Sequence, residues 1–261
     1  MPVPELDCEE PACAARSARR LPPDRGRDRQ GRNAQHLAVG HLIIPTPRTR
    51  LARRKERASY ERATVNAILD EAFYCHVGFV VDAQPFVLPT VHARIEDLLY
   101  IHGAVANRML RTLRSGVSVC VTVTLLDGLV LARSAFHHSI NYRSVMILGL
   151  GRVVSDPVEK EAALAALVDH IVPGRSAAVR GTTTKELQAT QVLAIPLDEA
   201  SAKVRTGPPQ DDDGDYSLPI WAGVLPLRLE ALEPVSDPRL TAGIPLPEHL
   251  RRYRETTLTS S

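Results

Sequence analysis

Between Tyr74 and Glu230 the chain repeats one pattern, a short run of β-prone residues closed by a turn former, and that pattern leaves few folds open. Tyr74 to Val81 and Phe86 to Ala93 flank the turn Asp82-Ala83-Gln84-Pro85, which spells a hairpin. Pro85 and Pro89 suit an edge strand or a strand start. Asp97 to Gly103 reads as a third strand and Val117 to Leu126 as a fourth, with threonines on one face. Asp127-Gly128 spells a tight turn, and Leu129–Ala132, Val145–Val154, Gln191–Leu197 and Val224–Glu230 supply further strand. Gly149 and Gly151 suggest a bulge or a close approach of backbone or ligand.

Helical spacing is confined to short stretches. Val65, Ile68, Leu69 and Ala72 mark a first helix with Ser59 as its candidate cap. Asn107–Leu113 turns Met109, Leu110 and Leu113 inward, Val158–His170 is amphipathic, and another short helix begins near Thr184. Strands therefore outnumber helices, and hairpins dominate. The fold class is mainly β with peripheral helices, a barrel or sandwich rather than a doubly wound sheet. Gly149-Leu150-Gly151 is too short for a dinucleotide fingerprint and opens no helix.

Residues 1–50 are rich in Arg, Pro and Ala and show neither apolar period, so they read as a disordered basic extension. Its acidic residues argue against a transit peptide. A single domain is expected over 51–235, followed by a C-terminal tail at 236–261. Met1 to Arg57 carries 13 basic and 7 acidic residues, which leaves 19 basic against 23 acidic in the rest. An acidic folded part argues against a nucleic-acid module. No run is apolar for long enough to form a membrane helix, and the four cysteines have neither the close spacing of metal or redox motifs nor a preceding secretory signal. A cytoplasmic protein with free thiols is expected.

Two segments concentrate chemistry. In Tyr100-Ile101-His102-Gly103-Ala104-Val105-Ala106-Asn107-Arg108, a strand ends in a glycine turn and enters a short helix beside a guanidinium, which suits a phosphate. A capped strand with a solvated arginine is the alternative. From Asp127 to Ser144 the second half is too polar for a plain connector. Asn141, Tyr142 and Arg143 offer amide hydrogen bonding, ring stacking and a positive charge for a flat anionic ligand. Adjacent histidines such as His137 and His138 point to opposite faces of a strand, and no carboxylate pattern completes a metal site around them.

His102-Gly103 through Asn107-Arg108, Asn141-Tyr142-Arg143-Ser144-Val145-Met146, Gly149-Leu150-Gly151-Arg152-Val153, Lys203 to Gly207 and Trp221-Ala222-Gly223 occur in an order that carries a family resemblance. From about Arg57 to Leu229 the chain resembles the flavin-nucleotide-binding branch of the pyridoxamine 5′-phosphate oxidase-like superfamily, which includes nitroimidazole-resistance reductases. That resemblance implies a split β-barrel that forms a homodimer and holds FMN at the dimer interface. It places Asn107 and Arg108 at the FMN phosphate, His102 beside the cofactor with Gly103, and Pro89, Thr90 and Val91 along the ring. Asn141, Tyr142, Arg143 and Ser144 form the neighbouring wall. His102 and Arg143 are the candidates to polarise the ring or protonate a substrate. Thr122 and Thr124 read rather as core-facing.

The chain departs from the true oxidases where Met109 replaces the lysine that follows the arginine, and it lacks their C-terminal Arg-X-His signature. The resemblance thus implies an FMN-dependent oxidoreductase on a small aromatic or nitro-aromatic compound. The alternatives are a non-catalytic flavin-binding or sensing protein, and a barrel that uses haem or a deazaflavin. Trp221 has two readings, stacking near the flavin under an acidic lid at 208–215, or plugging the barrel end or dimer interface.

Overall fold

The computed structural model describes residues 42–259, so most of the basic extension lies outside the described residues. In chain order the elements are β1 (Ala58–Ser59), α1 (Arg62–Glu71), β2 (Tyr74–Val81), β3 (Gln84–Ile95), β4 (Leu98–Ala104) and α2 (Arg108–Leu113). They continue with β5 (Ser118–Leu131), β6 (Ser139–Leu150), β7 (Arg152–Val153), α3 (Pro157–Ile171) and α4 (Thr184–Ala189). The last are β8 (Thr190–Pro196), β9 (Ala200–Arg205), β10 (Gly223–Pro226) and α5 (Glu248–Thr259). The strands form one antiparallel sheet in the order β1-β9-β6-β5-β2-β3-β4-β8-β7, with β10 added to the free half of β5.

β3 is where the sheet turns to become a barrel. Its first part pairs β2, from Gln84 opposite Val81 to Val91 opposite Tyr74, and only from His92 onward does it pair β4. Pro85 and Pro89 fall where β3 has no second neighbour, so their missing N–H groups cost no ladder bond. The two-residue turn before β3 has positive φ at Asp82 (50°) and Ala83 (62°), the twist that suits a tight hairpin. β6 closes the barrel by crossing β8. A Cβ placed on Gly149 would lie 3.6 Å from Ile195, and one on Gly151 3.4 Å from Leu193. Strand packing, not a ligand, occupies those glycines.

Alternation along the strands fills the interior. Cys75, Val77 and Phe79 of β2, Val119, Val121 and Val123 of β5, and Val145 and Ile147 of β6 are buried together with Val65, Ile68 and Leu69 of α1 and Met109, Leu110 and Leu113 of α2. Burial pushes the Cys75 thiol up to about 12, so it behaves as a small apolar side chain. A second cluster, Tyr100, Val154, Ala163, Val192 and Ala194, seats α3 against β4 and β8. α3 is capped by Asp156, whose carboxylate accepts from Val158 and Glu159 N–H, and α4 by a Thr183–Glu186 capping box.

Three expectations are corrected, and the expected C-terminal tail holds a helix at Glu248–Thr259. Packing begins before residue 50: Ile43 is buried in the core, and Arg48 pairs with Glu199. Ser59 does not cap the first helix, because Glu61 occupies that position and Ser59 sits in β1. Asp127-Gly128 makes no turn. β5 runs through it with a one-residue register shift, because the ladders to β6 and β10 outweigh a local turn preference.

His92 is wholly buried, and its Nε2–H donates to the Leu69 carbonyl at 2.9 Å. Burial holds its imidazole down to about 4, against 6.5 for the free group. The folded state therefore binds fewer protons than the unfolded chain between those values. Stability falls as pH drops through that window, by roughly 3 kcal/mol in total. Urea unfolding should show a smaller acid loss for His92→Gln than for the parent, and equal losses would overturn the assignment.

Candidate functional site

The side chains that the barrel interior does not use line the outer face of the sheet. Register gives one continuous row, Pro89 of β3 beside His76 of β2, Thr122 of β5, Met146 of β6 and Ser201 of β9. The next row in β5, β6 and β9 is Thr124, Ser144 and Lys203, and the one after it Leu126, Tyr142 and Arg205. Over these rows the segment Arg48–Leu51 forms a rim and completes a groove of about 480 Å³. Hydroxyls of Thr122, Thr124, Ser144 and Ser201 and the cations Arg50 and Lys203 line it. Arg48 is already paired with Glu199, whereas Arg50 and Lys203 have no carboxylate partner among the described residues. Hydroxyls beside unpaired cations suit a phosphate. Thr122 and Thr124 thus face the groove rather than the core.

Beyond Pro89 the strip continues to the first segment singled out in the sequence. β3 and β4 pair from His92 opposite Ile101, which puts Val91 and His102 one step beyond that pair, next to Thr90. His102 is half-buried, its buried Nδ1 has no partner among the described residues, and burial lowers its pKa. Gly103 passes under α2, where an added Cβ would meet Leu110 Cδ1 at 3.0 Å. The Asn107 side-chain oxygen Oδ1 accepts from Leu110 N–H at 3.3 Å, so Asn107 caps α2. Arg108 projects from that turn with its guanidinium 4.2 Å from the centre of the Phe86 ring and no carboxylate partner among the described residues. Met109, where a second cation could have stood, is buried in the core.

The wall Asn141–Ser144 is strand, not loop, and alternation divides it. Tyr142 and Ser144 belong to the outer rows. Arg143 lies on the opposite face beside Leu125 and Val204, both of which pack on the core. There its guanidinium is clasped by Glu71 and by Asp127, the latter at 2.8–3.3 Å, and these bonds raise its pKa. Asn141 is buried, accepts from Arg205 and donates to the Gly207 carbonyl at 3.2 Å. Asn141 and Arg143 are therefore committed within the chain and do not share a face with Ser144. The acidic segment after Gly207 is pinned rather than free. The Asp211 side chain has no solvent exposure and accepts from Arg133 N, Arg133 Nη1 and Ser134 N. Burial tends to raise the Asp211 pKa, but those donors hold it below the usual value. Trp221 is 69% exposed, with its indole over Gly223, so it plugs no barrel end within the chain.

Sequence reasoning missed His76, Met146, Ser201 and the Arg48–Leu51 rim. Only strand register reveals the first three, and the rim lies in a segment whose composition resembles a tail.

The split barrel thus carries along its outer face a groove lined by hydroxyls and by cations without a carboxylate partner among the described residues. The family description pyridoxamine 5′-phosphate oxidase matches residues 61–204, and the chain belongs to that family. Two solved structures are similar over nearly their whole lengths. The flavocytochrome Anf3 from Azotobacter vinelandii is 44% identical with a TM-score of 0.76, over 80% of this chain and 97% of that one. The FAD and haem binding protein from Mycobacterium smegmatis is 39% identical with a TM-score of 0.73, over 75% and 96%. No curated protein matches the sequence. Among the described residues no helix is long and apolar enough to cross a membrane.

Arg143→Ala strips the shared cation from Glu71 and Asp127 at a partly exposed site and should cost roughly 1–2 kcal/mol in urea unfolding. Arg108→Ala should cost less than half as much. The reverse order would show that the roles of the two arginines have been exchanged.

Proposed function

We propose that the protein binds a flavin nucleotide and haem and works as an oxidoreductase on a small organic molecule. The observation that carries this reading is its likeness to two proteins, a flavocytochrome and an FAD and haem binding protein, across nearly the whole of each. The residues present fit both groups. Arg108, Arg50 and Lys203, with no carboxylate partner among the described residues, suit flavin phosphates, and exposed His138, whose Nδ1 lies 2.9 Å from the Ser134 carbonyl oxygen, leaves its Nε2 to suit haem. Bound flavin supplies hydride or electron transfer, and haem single-electron transfer.

The chain's own part is to position these groups and tune their charge. Arg108 anchors a phosphate at the α2 turn, Pro89, Thr90 and Val91 border the ring with Gly103, and half-buried His102 lies beside them, its pKa lowered by burial. Tyr142 and Ser144 supply the facing wall. The resemblance favours FMN. FAD is a second reading, favoured by the groove under Arg50 and Lys203, which offers cations separate from Arg108 for a second phosphate. The exposed apolar residues Tyr74, Val80 and Val87 on β2 and β3 accord with a homodimer, and a cytoplasmic location accords with the free thiols.

The purified full chain should show flavin bands and a Soret band, or acquire them with added flavin and haemin. Chromatography of the released flavin decides between FMN and FAD. A protein that takes up neither flavin nor haem would sink the proposal. Arg108→Ala should weaken flavin binding at least about tenfold, and unchanged affinity would remove Arg108 from the phosphate site.

A further inference from the structure

We propose that Tyr60 is a positioning residue: its hydroxyl grips the backbone on both sides of Arg50 and so holds that cation at the groove for a phosphate. The inference rests on the reading above, in which the groove takes a phosphate group. Tyr60 does not itself line the groove.

The two groove cations without a carboxylate partner among the described residues are held by different means. Lys203 lies in β9, where ladders on both sides fix its backbone, Ala58 of β1 opposite it on one and Ser144 of β6 on the other. Arg50 stands outside every strand and helix, so no ladder holds it. An untied loop residue loses conformational freedom each time a ligand orders it, and that loss weakens binding. Arg50 can be kept in place only by single hydrogen bonds, and these come from two directions.

On the N-terminal side the turn is tied to itself and to the β8–β9 connection. Thr46 N–H donates to Thr49 Oγ1 at 2.9 Å, Thr49 N–H to Thr46 Oγ1 at 3.3 Å, and Arg50 N–H to the Thr46 carbonyl at 2.9 Å. Glu199 accepts from the Thr46 hydroxyl and from Arg48 Nε, the latter at 3.1 Å. On the C-terminal side the tie is Tyr60. Leu51 N–H donates to its Oη at 3.0 Å, and the same hydroxyl donates to the Thr49 carbonyl at 3.3 Å. A phenol can accept and donate at once, and here both capacities go to the residues that flank Arg50.

Tyr60 is itself well seated. It follows β1 directly, and Ala58 of that strand is the residue opposite Lys203. Its carbonyl accepts from Ile43 N–H at 2.8 Å, and Ile43 is buried in the core. Through Tyr60, therefore, Arg50 shares the frame that carries Lys203, and the two cations meet a ligand as one preorganised pair.

The test is a double-variant cycle on the full chain: wild type, Tyr60→Phe, Arg50→Ala and the two combined, titrated with FAD and with FMN by flavin fluorescence. Circular dichroism checks folding, which Tyr60→Phe should preserve because the ring and the backbone bonds of residue 60 remain. Tyr60→Phe should weaken FAD binding about three- to tenfold. FMN, whose one phosphate falls to Arg108, should lose less than about twofold. On the Arg50→Ala background the same substitution should change FAD affinity no further, because the cation that it positions is gone. A tyrosine with a merely structural role would weaken both flavins equally, or act alike with and without Arg50. Either result would overturn the inference, as would unchanged FAD affinity in Tyr60→Phe. Should wild type take up no flavin, or FMN alone, the same cycle is run with inorganic pyrophosphate by calorimetry. A pyrophosphate loss in Tyr60→Phe that vanishes without Arg50 would uphold the clamp even where the flavin reading falls. A loss that persists without Arg50, or none, would overturn it. Wild type that binds neither FAD nor pyrophosphate would overturn the phosphate groove, and this inference with it.

Discussion

β5 and β6 remain paired from Ser118 opposite Leu150 to Val130 opposite Ser139, and one extra residue at Asp127 interrupts their register. In a barrel strand each residue faces either core or surface, so a single insertion reverses every assignment beyond it. Before Asp127 the inward positions are Val119, Val121 and Val123, and the outward ones include Thr122 and Thr124. After it Val130 and Ala132 face inward, and the outward residues are leucines. One ribbon thus offers hydroxyls at one end and apolar surface at the other. The inserted residue is also used: Asp127 binds Arg143, and Glu71 ties the same guanidinium to α1. The local distortion that divides the face is thereby locked to the barrel.

Charge follows the same division. Arg48, Arg133 and Arg143 each meet carboxylates, and Arg205 is buried among neutral acceptors, its pKa lowered by burial. Arg50, Arg108 and Lys203 meet none among the described residues, and all three lie where an anion could reach them. Counting basic residues along the chain cannot separate the two sets, because pairing depends on partners remote in sequence, such as Asp211 for Arg133 and Glu199 for Arg48.

What the sequence discloses is what acts over a few residues. The strands at Tyr74–Val81 and Gln191–Leu197, the helix after Asp156-Pro157 and the short helix at Thr184 are legible from alternation, spacing and caps. β9 escaped notice because Ala200–Arg205 is short and mixes alanine with charge, and only pairing with β6 makes it a strand. Asp127-Gly128 misled because a turn preference is local and the ladders on both sides of it are not. The site was legible as a set of residue types but not as a surface. Asn141 to Ser144 are contiguous in sequence yet split between two faces, whereas Pro89, His76, Thr122 and Met146 are scattered in sequence and adjacent in space.

The prolines of β3 set a rule for how this chain can meet another. Along Gln84–Val91 one edge of β3 has no neighbour among the described residues, and a bare edge invites a foreign strand to dock. Pro85 and Pro89 pair with Val80 and His76 across β2, so their ring nitrogens point away from β2 and toward that edge. Only Val87 and Val91 keep outward donors there. A ladder built on that edge would be broken at every second rung. Chains are thereby discouraged from joining edge to edge into a runaway sheet.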